Sequence, residues 1–175
     1  MPNDATLALN HARQRMESAL AAKSALLESE IRRMLTDQPF KLDRGVKKTA
    51  VDAIHFEYEF DSFLPMACPL NTTSGYCGAG QQLLLLARGE KQLFPKAIRR
   101  DFVEALPKKE QHQGEDRLSE LETALYVAWF RQAWQQARSA APQMLGFLSV
   151  HDTLWRTELD SGETFREDSG RVKFF

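Results

Sequence analysis

The chain has few cysteines, no long apolar run and almost no net charge, and each shortage excludes a class of protein. Two cysteines, Cys68 and Cys77, in 175 residues are too few for a disulfide framework. No apolar run approaches the ~18 residues that would span a bilayer. The first twenty residues, "MPNDATLALNHARQRMESAL", lack a basic segment ahead of an apolar one. A secretory leader is therefore not expected, and the expected location is the cytoplasm. With 23 basic and 24 acidic residues the formal charge is -1, without the basic excess of a nucleic-acid binder. There is no P-loop, no G-x-G-x-x-G and no H-E-x-x-H. No cofactor and no metal site is expected.

One local absence is more informative. Positions 49–87 contain no Lys or Arg, yet Asp52, Glu57, Glu59 and Asp61 fall inside, with "RGVKK" before and "PKAIRRDF" after. A field of one sign in a near-neutral chain marks a docking surface for a basic partner.

What is present fits one soluble domain: 43% of residues are apolar, enough at this length to bury a core without staples. Asn3 and Asp4 are suited to cap a helix running to about position 36, with Leu9, Met16, Leu20, Leu27, Ile31 and Met34 on one stripe. At ~1.5 Å per residue that rod is about 50 Å long, against a radius of gyration of about 16 Å for the whole. Either it breaks or it projects. A projecting apolar stripe would offer a route to self-association.

"AIHFEYEFD" alternates without exception. Ile54, Phe56, Tyr58 and Phe60 take one side, and His55, Glu57, Glu59 and Asp61 take the other. Period two predicts a strand with one buried and one solvated face. "SFLPMACPL" continues extended, its prolines confining it to an edge or an irregular course. "QQLLLLAR" reads as a strand with a turn at Arg88-Gly89-Glu90. "PKAIRRDFVEAL" is a short helix and "DRLSELETALYVAWFRQAWQQARSAA" a central one, apolar on two sides. "MLGFLSVHD" reads as a strand, "LWRTELDSGETFRE" as a hairpin around Asp160-Ser161-Gly162, and "RVKFF" as a last short strand. The order predicts a single α+β domain over residues 1–175, with a mainly antiparallel sheet packed by the central helix and the long first helix.

"CPLNTTSGYCGAGQQ" raises the question of chemistry. Gly75-Tyr76-Cys77-Gly78-Ala79 fits the loose spacing of a nucleophile elbow, with His151 as base and Asp152 as orienter in a cysteine-dependent hydrolase. The strand that should precede an elbow is missing, so a glycine-rich loop presenting Tyr76 is the preferred reading. Cys68 and Cys77 are too far apart for a zinc knuckle. His55-x-Glu57 with Pro65 and Cys68 departs from the zinc-deaminase pattern, because no cysteine stands three positions after Cys68.

The residues identify no family; small bacterial immunity proteins are one general comparison. These are single α+β domains without a catalytic motif that bind a toxin through an acidic surface. The comparison is one of class rather than motif. The alternation and the basic-free stretch point to a non-catalytic binding or inhibitor protein, of the immunity type in this comparison, using His55, Glu57, Glu59, Asp61 and Tyr76 toward a basic protein surface.

Overall fold

The computed structural model describes residues 4–86 and 90–174, and the chain folds as α+β. The cap expected at Asn3 and the turn expected at Arg88-Gly89 lie outside the described residues.

The first helix breaks. It runs as α1 (Asp4–Ala21) and α2 (Ser24–Thr36), with Lys23 N bonding back to Leu20 O at 3.0 Å. Neither Gly nor Pro causes the break. Ser24 does, through its hydroxyl, which donates to Leu20 O (3.1 Å) and accepts from Trp129 Nε1 (2.9 Å). Met16, Leu20 and Leu27 are all buried in the main core, so no bare stripe projects. The route to self-association through this helix loses its motive.

Two further helices, α3 (Lys96–Glu104) and α4 (Gln111–Ala137), complete the helical layer. α4 is central as expected, touching α1, α2 and α3. Its Tyr126, Phe130 and Trp134 are fully covered.

The main sheet contains β2 (Ala53–Tyr58), β3 (Pro65–Asn71), β4 (Gly75–Tyr76), β6 (Gln81–Gln82), β7 (Leu145–Val150), β8 (Trp155–Glu158) and β9 (Thr164–Arg166). Its order is β4-β3-β2-β7-β8-β9, with β6 also on β3, while β1 (Lys41–Leu42) and β5 (Gly78–Ala79) form a separate short ladder. The ladders are antiparallel except β2 with β7, which is parallel. The two helices α3 and α4 lie within the connection that a parallel pair requires.

Three local expectations change. β3 is not an edge strand, for β4 and β6 pair its two ends. Its prolines are tolerated because Pro65 opens the strand and Pro69 contributes only its carbonyl, accepting from Cys77 N at 3.0 Å. The leucine run is a strand only at Gln81–Gln82. Beyond it Leu83 and Leu85 are buried and Leu84 exposed, and Leu84 N donates to the Glu30 carboxylate (3.0 Å) instead of to a strand. "RVKFF" adds no strand among the described residues; Lys173 N donates to Thr72 O at 3.1 Å.

The alternation of β2 is real, but the solvated face is not. Ile54, Phe56 and Tyr58 enter the helix-side core. Ala53 on the other face joins a second cluster with Leu70, Phe147, Phe165, Val172 and Phe174. His55 lies among them, fully buried.

β7 leaves room for α4 by carrying Gly146, where an added Cβ would come within 2.6 Å of the Trp134 ring. That ring cannot yield, since Trp134 is fully buried and its Nε1 donates to Asp160 at 2.8 Å. Gly146→Ala should therefore destabilise by about 1–3 kcal/mol, the usual cost of overpacking. Urea unfolding would measure it; an unchanged midpoint would mean that Trp134 is not seated over Gly146.

Candidate functional site

On the sheet face away from the helices lies a cleft of about 520 Å³. β2 supplies Glu57, β3 Cys68, β4 Tyr76 and β8 Arg156. The β7–β8 turn adds Asp152, Thr153 and Leu154, and the chain after β9 adds Glu167 and Phe174. These converge because β2, β3, β4, β7 and β8 are neighbours in one sheet and their alternate residues share a face.

His55 forms the base of this region. Its Nδ1 is 2.6 Å from Tyr76 Oη and its Nε2 2.8 Å from Ser149 Oγ. The Phe174 ring packs edge-on against it, centroids 5.3 Å apart. Burial, followed by the charge of Arg156, pushes its pKa down to about 3. Burial also raises the Tyr76 phenol well above its ordinary value, with neighbouring Cys68 and the Glu57 charge adding to it. A protonated phenol and a neutral imidazole satisfy both contacts without placing a charge in the apolar layer.

Arg156 is the buried cation. Its Nη2 pairs with Glu167 at 2.5 Å, its Nη1 donates to Thr153 O and Trp155 O, and its Nε has no acceptor among the described residues. At the rim, His151 Nδ1 is 3.1 Å from Glu57, while Nε2 is 3.4 Å from Asp152 and 3.9 Å from Glu59. The Glu57 contact first, then the surrounding carboxylate charges, hold the His151 pKa above its usual value.

The expected acidic row is therefore dispersed. Glu57 is half-buried and paired, and Tyr76 stands beside it in the cleft. His55 lies beneath them rather than on display. β2 ends at Tyr58, and Glu59 continues toward His151. Asp61 belongs to a different groove, lined also by Lys91, Lys96, Arg99 and Arg100. Those cations replace the single-signed surface expected around Asp61.

The hydrolase constellation is not assembled. Cys77 packs in the helix-side core with its Sγ 3.6 Å from Gly75 O, whereas His151 lies on the cleft side. Among the described residues no contact joins thiol and imidazole. Cys77 is followed by β5, not by the helix an elbow needs. Burial, with Asp52 next, raises its pKa, and burial takes Cys68 up to about 11. Both are free thiols, not thiolates. Among the described residues no group of three His, Cys, Asp or Glu is placed to hold a metal.

Arg156, Glu167, Ser149, Leu154 and Phe174 carried no readable signal. In β8 the exposed residue is Trp155, 56% accessible, and the buried one is Arg156, 6% accessible. That inverts what hydropathy alone implies. Compared with protein-family models, curated proteins and solved structures, the chain finds no match.

The depressed His55 pKa makes a signed prediction. An imidazole that resists protonation when folded contributes stability above its unfolded pKa near 6.5. That contribution is lost as pH falls toward 3, at about 1.4 kcal/mol per pH unit. His151, with a raised pKa, works in the opposite sense, as its contribution fades with rising pH. His55→Gln should lower stability at pH 7 by about 1–3 kcal/mol and flatten the fall between pH 6.5 and 4.5. Urea titrations of both proteins isolate the His55 share, because all other groups are common. Parallel pH profiles would refute it.

Proposed function

We propose that this protein is a non-catalytic protein-binding module of the inhibitor or immunity type, acting in the cytoplasm on a partner with a basic surface. One observation carries this reading. Around the cleft, exposed Tyr76 and Leu154 (38% and 48% accessible) stand beside the carboxylates of Glu57 and Asp152, with Glu59 close by across His151.

That is the composition of a docking surface. Rim charge speeds encounter and rejects partners of like sign, while apolar and aromatic anchors supply affinity. Met66, 38% accessible, extends the apolar part, because it pairs directly with Glu57 across β2 and β3. No helix among the described residues is long and apolar enough to cross a membrane, and the two free cysteines suit a reducing compartment.

The test is affinity purification from source cells with the wild type and with Glu59→Lys/Asp152→Asn/Leu154→Ser in parallel. The Asp152 and Glu59 side chains are 89% and 64% accessible, and Asn suits the φ of 58° at position 152, so these changes should leave the fold intact. The wild type should retain a partner with a basic surface that the variant loses. With that partner purified, the variant should associate about tenfold more slowly at low salt, the gap closing as salt rises. Equal capture and equal association rates would remove this face as the interface.

A further inference from the structure

The cleft is an open hollow rather than an acidic rim alone. Its volume of about 520 Å³ is in the range of a small-ligand pocket. That volume can hold one long side chain with its flanking peptide. Glu57 and Asp152 outnumber the one cation in the lining, since Arg156 is already neutralised by Glu167. Tyr76 presents part of an aromatic ring in the same wall.

The second observation is the unsatisfied donor. Arg156 is 6% accessible, lines the cleft, and has an Nε with no acceptor among the described residues. Buried N–H groups are seldom left unpaired, and an orphan on a side chain that lines a cleft asks for an acceptor from outside. Phe174 lies over the guanidinium, 5.2 Å from Cζ to the ring centroid.

We propose that the cleft receives an arginine side chain of the partner, its guanidinium directed to Glu57 and Asp152, and a flanking carbonyl oxygen accepting from Arg156 Nε. This rests on the partner-binding reading above and specifies its anchor. Arginine fits better than lysine because a planar guanidinium both stacks on an aromatic ring and bridges carboxylates through paired N–H groups. A carbonyl suits Arg156 where a carboxylate would not, because the lining already carries a negative excess. His151 now occupies Glu57 at 3.1 Å. It acts as an internal surrogate for the incoming cation, and its ring faces Glu57 from β2, Glu59 beyond the strand end, and Asp152 in its own turn.

The probe is N-acetyl-arginine methylamide, titrated into isotopically labelled protein by NMR, with the lysine and citrulline analogues as comparisons. Citrulline keeps the shape of arginine and removes the charge. The arginine probe should move the signals of Tyr76, Leu154 and Arg156 with a dissociation constant of about 1 mM, as expected for a fragment of that size. Lysine should bind more weakly, and citrulline at least about tenfold more weakly, the loss of a charge-assisted pair. Glu57→Gln should weaken the arginine probe about tenfold. Asp152→Asn, at an 89% accessible side chain, should weaken it about threefold in a protein whose fold is unperturbed. His151→Gln should tighten it by freeing Glu57. Equal binding of citrulline, shifts confined to other surfaces, or no shift at about 20 mM probe would each overturn the inference. None of those outcomes touches the capture experiment, whose readout is a whole partner protein; equal capture by wild type and variant there fails the broader reading independently.

Discussion

The parallel pairing of β2 with β7 is the constraint from which the rest follows. It places both strands in the middle of the sheet, with β3 on one side and β8 on the other. A central parallel pair is covered on both faces. On one face the cover is the helical layer, seated on Ile54, Phe56 and Leu148. On the other it is the C-terminal part of the chain, with Phe165, Val172 and Phe174 packed over Ala53 and Phe147. Polar residues on that second face must be neutral or paired, and those present are: His55 with Tyr76 and Ser149, Arg156 with Glu167.

The same cover creates the cleft. Phe174 reaches His55 and Arg156 but stops short of the β7–β8 turn, and the hollow between them is lined by Glu57, Tyr76 and Leu154. A buried ion pair adds little net stability. Its value here is positional, since Glu167 fixes one edge of the Arg156 guanidinium and two backbone carbonyls fix another. Among the described residues the Nε of that side chain has no partner.

Where the chain's local pattern and its tertiary neighbours agree, the sequence was readable. β2, β7, the hairpin at Asp160-Ser161-Gly162 and the helix around Trp129 and Trp134 follow from periodicity and turn residues. What was not readable depends on contacts between distant segments. The break at Lys23 follows from a hydroxyl shared with Trp129, 105 positions away. Strict alternation in β2 assigns two faces correctly but cannot say that Phe147, Phe165 and Phe174 cover the second one. Within the candidate site, Glu57 and Tyr76 were legible as a charge and an aromatic in a basic-free stretch. Arg156 was not, because its burial is set by Glu167 and Phe174, and Trp155 beside it takes the exposed position that a charged residue ordinarily holds.

The central claim is that the second face of the sheet is a closed layer with a neutral imidazole inside it. The most direct test follows the ring signals of His55 by NMR from pH 8 downward. With a pKa of about 3, the ring should stay neutral and its signals unmoved to about pH 4, while His151 titrates above the ordinary histidine value near 6.5. A His55 midpoint near 6.5 in the folded protein would show an open, solvated face, and the account of the sheet and its cleft would be wrong.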